Sequence, residues 1–231
     1  MAGMWSAVFG SLAAVGFGTH LLSKFIKARR AHQEAPERLF GAASAIFDES
    51  YFEATGSVGY PQLVGTYRGH FVQVRPVIDT LAVRKLPSLW LLVTIPTPLP
   101  LTATFDLMMR PAGPMTFSNF ERLPVTLAHL PDFPELCVVR TDDPAQLPPF
   151  CLIAPHLGIF ADPYGKELLI TPKGLRMVWQ LGEAERGRYG VFRQVEFGEV
   201  RLAPGLLQTI LDRLIAIQQA IIQWKEASFH E

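Results

Sequence analysis

Thirteen of the chain's 19 prolines fall between Pro87 and Pro155, with Pro96, Pro98 and Pro100 in one short stretch. Each proline fixes φ and removes a backbone donor, so this middle third cannot be long helix or uninterrupted central sheet. Regular structure is confined to short runs between the prolines and to longer segments on either side of them. Leu63 to Ile78 is rich in β-formers and breaks at Arg68-Gly69, which predicts a hairpin. Leu89 to Ile95 is a continuous apolar run suited to a central strand, and Leu101 to Met109 predicts another. Residues 60–110 therefore read as an antiparallel meander.

Further strands are expected at Glu135 to Arg140, Lys166 to Thr171, Leu175 to Leu181, Tyr189 to Glu196 and Glu199 to Leu202. Pro172-Lys173-Gly174 makes the turn between two of them, with glycine where positive φ is needed. Pro36, Pro144 and Pro204 stand where helices begin, because a first turn tolerates proline. The helix from Pro36 is predicted to reach about residue 54 on a stripe of Leu39, Ala43, Ile46, Phe47 and Phe52. The helix from Pro204 is predicted to reach Glu226 on Leu207, Ile210, Leu211, Leu214, Ile217, Ile221 and Ile222.

Ahead of this body, Met4 to Ser23 is a run of 20 residues without a formal charge, followed by Lys24, Lys27, Arg29 and Arg30. As a helix the run would reach roughly 30 Å, one hydrocarbon thickness. The cations follow the run rather than precede it, which is the wrong order for a cleaved signal peptide. The expectation is a retained anchor, with the basic flank and the body on the cytoplasmic side of a bacterial inner membrane. Ser6, Gly10, Ala14 and Gly18 recur every fourth residue and mark a face where a second membrane helix could approach closely, from a partner protein or a second copy. His20, the one ionisable group in the run, sits one turn from Lys24 near the interface and reads as solvated rather than as a haem or chlorophyll ligand.

The expected fold class is thus α+β: one N-terminal transmembrane helix over residues 1–30, a linker at 31–38, and a mostly antiparallel sheet domain at 39–231 with a long C-terminal helix. The proline-rich zone offers a subdomain division near residue 145.

The formal net charge of zero divides unevenly. Residues 1–32 hold four basic side chains and no acidic one, leaving 17 basic against 21 acidic in the body, a balance of −4. That balance disfavours nucleic acid as a partner. Cys137 and Cys151 lack CxxC spacing and read as buried reduced thiols, with neither a disulfide framework nor a zinc site implied.

Phosphate-loop, dinucleotide, nucleophile-elbow and zinc-protease motifs are all absent, so no catalytic, cofactor or metal residue is assigned. Asp48, Glu49 and Glu53 read as a solvated acidic face. Asp142 and Asp143 read as helix-capping residues. His129, His156, Cys137 and Cys151 offer a thiol–imidazole site if the fold brings them together.

The function expected on these grounds is a non-enzymatic, membrane-anchored accessory, assembly or scaffold protein of a membrane complex. A tethered binding domain for a lipid or small apolar ligand is the alternative, and an enzyme with a His/Cys site stands behind it.

Overall fold

The computed structural model describes residues 38–54, 60–79, 86–128, 130–186, 195 and 197–228. They form an α+β architecture around one nine-stranded sheet in the order β1-β2-β3-β4-β9-β8-β5-β7-β6, with every neighbouring pair antiparallel. The strands are β1 (Glu49–Glu53), β2 (Gln62–Tyr67), β3 (His70–Asp79), β4 (Ser88–Ile95), β5 (Phe105–Met109), β6 (Val125–Thr126), β7 (Cys137–Thr141), β8 (Gly165–Thr171) and β9 (Gly174–Glu183). Short 3-10 segments fill the proline-rich interval, and one long helix, Pro204–Ser228, closes the described chain.

This architecture corrects the expected fold class. The long helix of the described fold stands at the C-terminal end, and no N-terminal transmembrane helix belongs to it. The run at 4–23 lies outside the described residues. The C-terminal helix is long and apolar enough to cross a membrane. Its Leu207, Ile210, Leu211, Leu214, Ile217 and Ile221, however, are buried in the same cluster as sheet residues Leu91, Val93, Phe105, Leu107, Leu168 and Met177.

Two further expectations change for physical reasons. The meander breaks after β4, because the β8–β9 hairpin lies between β4 and β5. The proline loop carries the chain past that hairpin, with the Leu99 amide donating to the Pro172 carbonyl oxygen. The helix expected to run to residue 54 covers 38–44 among the described residues, and Glu49–Glu53 is strand β1. Strand pairing wins there because Gly65 faces Ser50 across β2. A Cβ on Gly65 would lie 2.5 Å from the Glu49 carbonyl oxygen and 2.9 Å from the Phe47 ring. Residues 199–202 are not strand, and most of 189–196 lies outside the described residues.

The sheet has two unlike faces. One carries the C-terminal helix, residues 38–44 and the 3-10 helix Ala154–Ala161 over a large apolar core. On the other, Trp90, Leu92 and Val178 meet Phe117 and Met115 of the loop that follows β5. That second face also carries the charged residues described next.

Candidate functional site

Strand alternation sends Asp106 of β5, Glu167 of β8 and Arg176 of β9 to the second face, while their neighbours Phe105, Leu107, Leu168, Ile170, Leu175 and Met177 enter the main core. Asp106 is 2% exposed and Glu167 0%. Glu167 takes a 2.9 Å ion pair from Arg176 Nη2, and Ser118 of the overlying loop hydrogen-bonds to it. Asp106 lies opposite Arg140 in the β5–β7 register. Arg140 turns elsewhere, stacking 5.0 Å from the centroid of Phe120 and donating at 3.5 Å to the Phe120 carbonyl oxygen.

The protonation states follow from these partners. Burial first, and the Glu167 charge second, push the Asp106 carboxyl up to about 8 against the pull of Arg176. Burial raises Glu167 as well, against the smaller opposing pull of Arg176, Ser118 and Lys166. Asp106 is therefore held protonated at neutral pH. Asp106 Oδ1, Glu167 Oε1, Arg140 Nε and Arg176 Nε are each buried without a partner, so the cluster is incompletely satisfied.

Beside this cluster the second face opens into a groove of about 450 Å³. Its walls include Asp79 at the end of β3, Ser88 and Trp90 of β4, Gln180 and Glu183 of β9, Tyr164 and Lys166 beside and within β8, and Arg110 after β5. Both register shifts seen among the described strands lie here: one bulges at Leu181, between Gln180 and Gly182, and the other at Lys166, between Gly165 and Glu167. Bulges of this kind re-aim side chains. Lys166 Nζ donates to the carbonyl oxygens of Met109 at 2.6 Å and Arg110 at 2.8 Å. Arg110 returns the connection, donating from Nη2 to the carbonyl oxygens of Pro163 at 2.6 Å and Gly165 at 2.9 Å. Gln180 Nε2 donates to Ser88 Oγ and to Glu183 Oε1, both at 3.2 Å. The Trp90 indole Nε1–H is buried with no acceptor.

The residues singled out in the sequence lie elsewhere. Ser6, Gly10, Ala14, Gly18, His20, Lys24, Lys27, Arg29, Arg30 and His129 are outside the described residues. Cys137 and Cys151 are free thiols, and burial pushes the Cys137 thiol up. His156 is lowered by burial and by Arg213 of the C-terminal helix, and its Nδ1 has no partner. Asp143 accepts from the Ala145 amide at 3.0 Å and Asp142 from the Thr104 amide at 2.7 Å, so both serve the backbone. Among the described residues no group of three or more His, Cys, Asp or Glu side chains could hold a metal ion.

Sequence reasoning passed over Asp106, Glu167 and Arg176, although a signal was present. Each is a charge inside an apolar strand: Phe105-Asp-Leu-Met-Met109, Glu167-Leu-Leu-Ile170 and Leu175-Arg-Met-Val-Trp179. The groove residues come from five separate segments and leave no local pattern. No family model, curated protein or solved structure matches the chain.

Proposed function

We propose that the chain is a non-enzymatic accessory, assembly or scaffold protein of a membrane complex, contacting its partner through the β1 edge of the sheet. The observation that carries this reading is a set of exposed aromatic side chains at that edge. Tyr51 is 58% exposed and Phe71 44%. They pair with Val64 and Thr66 of β2, two residues apart, and so flank β2 on one face. β1 itself is exposed along its whole length. Exposed aromatics beside an open strand edge mark surfaces that other chains cover.

Two further features support the reading. The carboxylates with shifted protonation are sealed beneath the loop after β5, so they are not presented to a substrate. The uncharged stretch 4–23 with four following cations favours a membrane surface whatever its conformation.

Capture of the full chain in mild detergent tests the proposal. It expects a partner in fixed ratio that is lost from Tyr51→Glu/Phe71→Glu at unchanged thermal stability. It also expects the chain in the membrane fraction, reduced when Lys24, Lys27, Arg29 and Arg30 are all changed to Gln. A monomer in the soluble fraction, indifferent to both sets of changes, would overturn it.

A further inference from the structure

We infer that the β1 edge takes a basic, extended segment of its partner as an added strand, with cationic side chains opposite Glu49 and Glu53 and an apolar one opposite Tyr51. This rests on the edge contact proposed above and names the chemistry of what fills it.

β1 ends the sheet order and pairs with β2 alone among the described strands. Alternate amides and carbonyls along its outer side therefore face away from the sheet, ready to pair with an incoming strand. Its side chains alternate between the two faces. Glu49, Tyr51 and Glu53 stand opposite Thr66, Val64 and Gln62 of β2, and Thr66 stands opposite Phe71 of β3. All three thus share the face that carries Phe71, in the order carboxylate, aromatic, carboxylate. Phe52 lies on the other face, 42% exposed, with its ring 5.7 Å from that of Phe40.

The acidity of this edge meets no cation in its own strands. Asp48, Glu49 and Glu53 are exposed, and none is paired among the described residues. β1 and β2 hold no Lys or Arg. Of the arginines on the adjoining hairpin, Arg68 is engaged with Asp212 at 2.9 Å. Arg75 is on β3, two strands from β1 and so roughly 10 Å away. A strand added outside β1 would instead place its side chains directly opposite the carboxylates, about 5 Å away between Cβ atoms. Opposite charges stabilise such a cross-strand pair, and like charges destabilise it.

The same charges turn away a second copy. Antiparallel pairing of two β1 strands over their whole length would set Glu49 against Glu53 twice. Charged residues on an edge strand commonly hinder that kind of self-pairing, and they leave the edge open to a strand of opposite sign. The body also carries more acidic than basic residues, which steers a basic segment toward it. Read antiparallel from Glu53 to Glu49, the fitting pattern is cation, apolar, apolar, polar, cation.

Fluorescence anisotropy on the full chain in mild detergent tests this at roughly 10 mM salt, where charges act over about 30 Å. The probes are labelled Thr-Lys-Val-Tyr-Thr-Lys-Thr, the same peptide with glutamate for lysine, and the lysine peptide with proline for tyrosine. The lysine peptide should bind saturably and about tenfold more tightly than the glutamate peptide, and the difference should shrink at about 1 M salt. Proline, which disrupts strand pairing, should abolish binding. Glu49→Lys/Glu53→Lys, at exposed positions, should reverse the preference at an unchanged thermal midpoint. No saturable binding of the lysine peptide, equal binding of either other peptide, or a dimer of the chain lost in Tyr51→Glu/Phe71→Glu would each overturn the inference. A captured partner lost from Tyr51→Glu/Phe71→Glu but kept by Glu49→Lys/Glu53→Lys would overturn the basic strand and leave the edge contact standing. A partner kept by both variants would overturn both.

Discussion

Asp106→Asn gives the most direct measure of how dry the second face of the sheet is. The Asp106 carboxyl is pushed up to about 8 from an ordinary value of 3.8. For an acid raised in this way, the associated stability is fully present below the unfolded pKa and is lost as pH rises through the folded one. Below about pH 4 both folded and unfolded chains hold the proton. Between about pH 4 and 8 only the folded chain holds it, and stability falls by about 1.4 kcal/mol per pH unit. Above that range the fall stops.

From pH 6 to pH 8 the loss from this carboxyl, which titrates together with Glu167, is on the order of 2 kcal/mol. Asparagine has the same shape and cannot titrate. Urea denaturation followed by tryptophan fluorescence, with Trp90 and Trp179 buried in the body, should therefore give a flatter pH dependence for the variant by about that amount. Taking the difference between the two proteins cancels titrations at distant sites, which are common to both. Parallel curves, agreeing within about 0.5 kcal/mol over this range, would mean that Asp106 is ionised and hydrated in the fold. The desolvation argument for the cluster would then fail.

Other consequences are simpler. Gly174 has φ 138°, and an added Cβ would lie 2.2 Å from the Ile95 carbonyl oxygen, so Gly174→Ala should cost on the order of 3 kcal/mol. A thermal melt should show that as a fall of roughly 6 to 12 °C. Ile210→Ala, in the buried stripe of the C-terminal helix, should cost about 2 to 5 kcal/mol in urea denaturation, whereas a helix that left the sheet would make the change nearly silent. The Tyr67 hydroxyl donates to Asp212 Oδ1 at 3.0 Å from a largely buried ring, so Tyr67→Phe should cost roughly 1.5 kcal/mol. Arg68 reaches the same oxygen at 2.9 Å, but both partners are exposed, and Arg68→Ala should cost less than about 1 kcal/mol by the same assay. A larger loss from Arg68 than from Tyr67 would contradict this ordering.

Local chemistry was legible in the chain before any fold was known. Arg68-Gly69 turns between β2 and β3, Gly174 turns between β8 and β9 at positive φ, and Asp143 caps the turn that Pro144 opens. The apolar stripe after Pro204 is a helix stripe because its period is set by residues three and four apart. Each of these depends on interactions within a few residues, and those are written in the order of the side chains.

The placement of one segment against another was not legible. Phe52 follows closely on the apolar helix stripe that begins at Leu39, yet it lies in a strand, because Gly65, 15 residues downstream of Ser50, lets β1 approach closely. The hairpin β8–β9 enters between β4 and β5, and only that insertion brings Glu167 and Arg176 beside Asp106. The candidate site shows the same division. The charges inside apolar strands were visible as residue types. Their burial, the proton on Asp106, and the groove lined by Asp79, Glu183, Lys166 and Arg110 required the tertiary structure. Desolvation and long-range pairing are properties of surfaces brought together in space, and no local spacing encodes them.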